Sequence, residues 1–230
     1  MATITSGEPE KWTLSDVVAM AALRPLVTGY VPLTTWSMRP AAILTIVNEI
    51  ELKQRSTVVE LGSGASTLYL AHALAEVGGR LVSVEQDPEL AAFIRRLLAR
   101  EGHSLVAAVE QVGLAPLPPA LAVDSATWAS PERWYDIDRL RSVCPEDIDV
   151  LVVDAPPGGD DPRVLAREPV VGVLCGQFAA VYSVFLDDVD RPAEREILRR
   201  WGERLGIDTH VVERIALGLG CSDGRMIPSL

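Results

Sequence analysis

Short apolar runs alternate with amphipathic segments through most of this chain. Thr57–Leu61 and Leu81–Glu85 carry apolar residues on both faces and predict strands covered on both sides, as do 105–110, 149–154 and 181–187. Between them, 66–77, 88–101 and Pro192–Leu205 show the three-to-four spacing of helices, and a further helix runs to about Cys175. Gly113–Ser130, rich in proline and alanine, predicts a loop, followed by a helix over Pro131–Val143. Ahead of this region stand a short helix at Leu14–Leu23, a break at Tyr30–Leu33, and a helix from Pro40 through Leu52. Ala42, Ile43, Ile46, Val47 and Ile50 share one face of that second helix. The alternation predicts an α/β fold, a doubly wound, mostly parallel sheet with helices on both faces. The expected organisation is a single domain over 1–230, with N-terminal helices or a lid over 1–52 and a ligand-binding core over 53–230.

The first strand ends in Glu60-Leu61 and breaks into Gly62-Ser63-Gly64-Ala65-Ser66-Thr67. Glycines at 62 and 64 allow a tight bend and close approach to a ligand, and the helix that follows points free N–H groups into the same space. Glu85 closes the second strand, 25 residues after Glu60. At that position a carboxylate accepts hydrogen bonds from ribose hydroxyls. A nicotinamide dinucleotide site needs glycine where Thr67 stands and has no use for an acid ahead of the first glycine. Glu60 suits an ammonium-bearing nucleoside instead, which points to S-adenosylmethionine.

The 32 acids and 21 bases of the 230 residues leave a net charge of −11, which opposes binding to nucleic acid. Cys144, Cys175 and Cys221 are too few and too scattered for a disulfide framework or a metal cluster, as in a reducing compartment. Met1–Trp12 lacks the pattern of a signal peptide, and a cytoplasmic location is expected. The long apolar stretch Val170–Leu186 is interrupted by Gly172, Gly176, Gln177, Tyr182 and Ser183, and reads as a helix end, a turn and a buried strand rather than a membrane span.

On ELGSGAST, SVEQDP and the fourth-strand stretch Asp149–Gly158 (DVLVVDAPPG), the chain resembles class I S-adenosylmethionine-dependent methyltransferases across most of residues 39–220. That resemblance implies a seven-stranded Rossmann-like sheet closed by an antiparallel pair near 208–215 and 217–227. It assigns cofactor contacts to Glu60 (the ammonium), Gly62, Ser63, Gly64, Ser66 (the carboxylate) and Glu85 (the ribose). Gln111 and Val112 would border the adenine, with Asp154 nearby and Trp134 and Tyr135 as flanking aromatics. Trp36, Ser37, Met38 and Arg39 would cover the pocket.

Asp154 ends the fourth strand and Asp187-Asp188 the fifth, so three hard oxygen donors converge if the topology holds. Such donors suit magnesium (Mg²⁺). Alternatively, Asp187 and Asp188 begin the next helix, with Asp190 as its cap before Arg191-Pro192. The aspartate trio is similar to that of metal-dependent O-methyltransferases acting on catechols and, in its D-D form, on sugars, including the mycobacterial enzymes that methylate mannose oligosaccharides. The implied activity is transfer of a methyl group to a hydroxyl of a sugar or oligosaccharide, with phenolic small molecules as the alternative and a non-catalytic binding domain as a third. A homodimer is compatible with this reading. The general base of the resembled enzymes has no counterpart at Ala155-Pro156-Pro157, leaving Asp154, Asp160, Asp161 and Tyr30 as candidate proton acceptors; His72, His103 and His210 read as locally satisfied residues.

Overall fold

The computed structural model describes residues 13–225. Its strands are β1 (Thr57–Leu61), β2 (Arg80–Glu85), β3 (Ala107–Gln111), β4 (Leu114–Pro116), β5 (Arg133–Tyr135), β6 (Ile148–Val153), β7 (Phe178–Leu186), β8 (Thr209–Val212) and β9 (Leu217–Cys221). The helices are α1 (Leu14–Leu23), α2 (Pro40–Lys53), α3 (Ala65–Val77), α4 (Pro88–Glu101), α5 (Ile137–Val143), α6 (Pro169–Leu174) and α7 (Pro192–Leu205).

A seven-stranded sheet forms in the order β3-β2-β1-β6-β7-β9-β8. β9 alone runs against its neighbours, pairing antiparallel with both β7 and β8. Strand direction sorts the side chains. Val58, Val150, Val152 and Phe185 face a core shared with α1 to α4, whereas Val59, Leu61, Leu151, Val153 and Leu186 face one shared with α6 and α7. This two-residue alternation, buried on both sides, is why the strands read as unbroken apolar runs. The strand order reverses between β1 and β6, and a crevice opens there at the carboxyl ends of the strands.

Several expected boundaries shift. The helix placed over 131–143 covers only Ile137–Val143, because Arg133-Trp134-Tyr135 pairs antiparallel with Leu114–Pro116 inside the expected loop. Trp134 and Tyr135 are buried there, and the Asp136 side chain accepts from the Arg139 N–H at 2.9 Å to start the helix one residue later. β3 begins at Ala107 rather than 105, and β7 begins at Phe178 rather than 181. β8 stops at Val212 before a 3₁₀ turn, and β9 stops at Cys221; the expected strand end at 226–227 lies outside the described residues. The stretch Val170–Leu186 divides into most of α6, a 3₁₀ turn and β7, and among the described residues no helix is long and apolar enough to cross a membrane.

Candidate active site

The glycine turn is built by hydroxyl groups gathered around one buried acid. Glu60 Oε1 accepts from Ser66 Oγ at 2.5 Å, and Oε2 accepts from Thr67 Oγ1 and Ser83 Oγ, both at 2.6 Å. With 0% exposure, its carboxyl is pushed above the usual range by burial, against the pull of those hydroxyls. Thr67 Oγ1 also accepts from the Gly64 N–H at 2.9 Å, which gives the residue that breaks the dinucleotide pattern a structural task. Gly62 takes φ +100°, and a Cβ there would stand 2.9 Å from the Ala155 Cβ, so only glycine fits. At Gly64 a Cβ would meet no protein atom within 4 Å; it would occupy the cavity that Gly64 lines.

That cavity, of about 370 Å³, is lined by Gly62–Ser66, Glu85, Asp154, Arg167, Asp187, Asp188 and the segment preceding α2. Its size suits a small-molecule site. Glu85 accepts the Ser63 N–H (3.1 Å) and the Asp87 N–H (2.9 Å), which fix its carboxylate at the end of β2. A carboxylate has about four acceptor positions, so lone pairs remain for hydroxyls.

Strand register brings the aspartates together. Val153 pairs with Leu186, so Asp154 and Asp187 leave adjacent strands side by side, and Asp187 N–H donates to Val153 O at 3.0 Å. Asp188 adopts φ +63°, a left-handed conformation that aspartate tolerates better than most residues. One carboxylate oxygen from each of the three lies within 4.8 Å of the others. The expected alternative, capping of the next helix, does not occur: the N-cap of α7 is Arg191, with no side-chain cap bond. Burial, partly offset by Arg167, pushes Asp154 up to about 7, and burial with its acidic neighbours holds Asp187 well above the usual carboxylate range.

A guanidinium that sequence reading passed over sits among these acids. Arg167 Nη2 donates to Asp154 Oδ1 (3.2 Å) and Asp188 Oδ2 (2.8 Å), and Nη1 donates to the Asp187 backbone oxygen (2.9 Å). The more exposed Arg191 reaches Asp188 Oδ2 at 3.1 Å. The available signal was one arginine between the apolar runs Val164-Leu165-Ala166 and Pro169-Val170-Val171.

Several other residues expected at the site lie outside the lining of this cavity. Glu60 is not among the residues lining the cavity; its oxygens accept from three hydroxyls beneath the turn. Gln111 and Val112 lie outside the lining, Gln111 Nε2 donating to Gln86 O and the Val112 N–H to Glu85 O. Trp134 and Tyr135 are packed edge to face in the core. Tyr30, Asp160 and Asp161 are also outside the lining, Tyr30 being exposed and Asp161 paired with Arg163. His72 and His103 pack edge to face on each other, and His210 lies on β8. Trp36, Ser37, Met38 and Arg39 do border the cavity, with Trp36 80% exposed at its edge.

No protein-family model matches the chain. Over 96 residues it is 33% identical to a protein-L-isoaspartate O-methyltransferase of Methanoculleus marisnigri, a stretch covering 41% of this chain and 43% of that protein. The match therefore spans less than half the length of that curated relative. Among solved structures, the chain is similar to an O-methyltransferase from Bacillus cereus in complex with S-adenosylhomocysteine (TM-score 0.57, 15% identity, 92% of this chain and 91% of that one). It is also similar to the O-methyltransferase TomG from Streptomyces achromogenes, involved in tomaymycin synthesis, in complex with S-adenosylmethionine (TM-score 0.52, 20% identity, 92% and 89%). These likenesses show the Rossmann-like fold of class I methyltransferases.

Proposed function

We propose that this protein transfers a methyl group from S-adenosylmethionine to a hydroxyl oxygen of a sugar or oligosaccharide. The observation that carries the reading is one cavity at the strand-order reversal that joins the glycine turn, Glu85 and Asp154. Glu85 would take the ribose hydroxyls, and Ser63, Gly64 and Ser66 with the α3 N-terminus would take the methionine part and its carboxylate. Bound S-adenosylmethionine supplies a methyl group on a positively charged sulfur, which keeps the bonding electron pair when an acceptor oxygen displaces it. The acceptor hydroxyl must then release a proton. Asp154 lines the cavity, and its Oδ2 makes no hydrogen bond among the described residues, so it is the base to which we assign that proton. In-line displacement requires the hydroxyl to be held opposite the sulfur, a task that falls to the surrounding cavity wall.

Trp36 supports the sugar reading: its exposed indole offers a flat apolar surface beside polar Thr34, Thr35 and Ser37. Sugar rings present apolar C–H faces with hydroxyl edges and match that combination. A phenolic acceptor is the second reading, since a flat ring stacks on the same indole. Magnesium, implied by the resemblance, finds the right donor type in Asp154, Asp187 and Asp188. Two of these carboxylates, however, already bind the Arg167 guanidinium, and a second positive centre, Arg191, adjoins Asp188. The residues present do not fit a divalent ion, and no step here depends on one.

Calorimetric titration with S-adenosylhomocysteine tests the cofactor assignment: binding is expected, with NAD giving none. Labelled methyl donor offered with a panel of glycosides and catechols then tests the acceptor, and incorporation into catechols alone would sink the sugar assignment.

A further inference from the structure

The positive charge that an acid cluster of this kind calls for is already part of the chain. Arg167 has a side chain only 3% exposed and touches all three aspartates, two through carboxylate oxygens and one through its backbone oxygen. We propose that Arg167 is the fixed cation of this site, standing where the resembled enzymes place a divalent metal, and that the reaction of this protein is metal-independent.

The surrounding segment holds the side chain in place. Leu165 and Ala166 before it are buried, and the Leu165 N–H donates to Ala129 O at 2.9 Å. After it, Glu168 O accepts from Trp201 Nε1 at 3.1 Å, and Pro169 starts α6. A guanidinium stays protonated at any working pH and has no low-cost neutral form, so withdrawing it would leave the half-buried Asp154 carboxylate without a partner and Asp188 with Arg191 alone. A divalent ion bound to the same oxygens would face a like charge within hydrogen-bond distance of its own ligands, with Arg191 adding a second. The guanidinium also differs from a metal in what it can do. It offers no open coordination position for an acceptor oxygen, so it acts as a positioning residue: it fixes Asp154 through Oδ1 and leaves Oδ2 for the acceptor.

The test is Mn²⁺ titration of the full chain after dialysis against EDTA, read by the electron paramagnetic resonance of the free aquo ion in the presence of S-adenosylhomocysteine. The wild type is expected to show no site tighter than about 1 mM. R167Q, which keeps donors but loses the charge, is expected to bind Mn²⁺ at least about tenfold more tightly, while R167K stays like the wild type. Saturable wild-type binding tighter than about 1 mM overturns the proposal, and so does an R167Q protein that gains no affinity. If R167Q does not fold, the wild type and R167K decide. The activity arm rests on the methyltransferase reading: turnover should survive EDTA, and loss restored by Mg²⁺ overturns the proposal. Failure to bind S-adenosylhomocysteine overturns that reading alone, because the Mn²⁺ titration is scored without turnover and can be repeated without the ligand.

Discussion

Two acids at the ends of buried strands, Glu60 and Glu85, differ in what surrounds each carboxylate. Glu60 is enclosed by three hydroxyls, whereas Glu85 is held by two backbone N–H groups with one side toward the cavity. Glu85→Ala should therefore weaken S-adenosylhomocysteine binding by about ten- to a hundredfold, the equivalent of roughly 1.5–3 kcal/mol, in calorimetric titration. Ser83→Ala acts differently: it removes a donor from the buried Glu60 carboxylate and is expected to lower unfolding free energy by about 1–3 kcal/mol in urea. Unchanged stability in that variant would show that Glu60 does not depend on its hydroxyl cradle.

Among the elements, α4 offers a clean separation of stability from binding. The Asp87 side chain caps it, accepting from the Glu89 N–H (2.8 Å) and the Leu90 N–H (3.2 Å), while the contact of Asp87 with Glu85 runs through its backbone N–H. Asp87→Ala should cost about 1 kcal/mol of stability and leave ligand affinity within about twofold, measured by denaturation and titration on the same preparation. The long strands and helices of the sheet were legible because their apolar periods extend over five or more residues. β4 and β5 were not, since three-residue strands carry no period and Pro116 and the neighbouring prolines read as loop. The aspartate trio could be placed from strand ends alone. Arg167 could not, because its partners lie 13, 20 and 21 residues away in sequence and meet it only through the register of β6 and β7.

Across the whole molecule, buried and paired acids pull the pH response in opposite senses. Glu60, Glu85, Glu168 and Glu194 are all raised above the ordinary 4.5 by burial. The folded chain thus keeps protons that the unfolded chain has released, and stability falls as pH rises through the folded values. Asp16, paired with Arg39, is lowered despite burial and acts in the opposite sense, losing its contribution as pH falls below the ordinary 3.8. Asp154, pushed by burial from 3.8 up to about 7, carries the same sense as the raised glutamates into the neutral range, so scanning calorimetry should give a higher Tm near about pH 6 than near about pH 8, and a Tm that climbs steadily with pH would contradict this. The net charge of −11 adds self-repulsion at the alkaline end. The cavity itself has walls of two origins. Strand ends supply Glu85 and the aspartates, whereas Pro32–Arg39 reaches the site as one continuous stretch braced by its own bonds, Thr34 N–H to Ser37 Oγ (2.9 Å) and Ser37 Oγ to Pro32 O (3.1 Å). On the proposed reading, descendants of this chain could change diet without relearning how to grip the methyl donor: substitutions confined to that eight-residue stretch would alter one wall of the cavity and leave the strand-end residues in place.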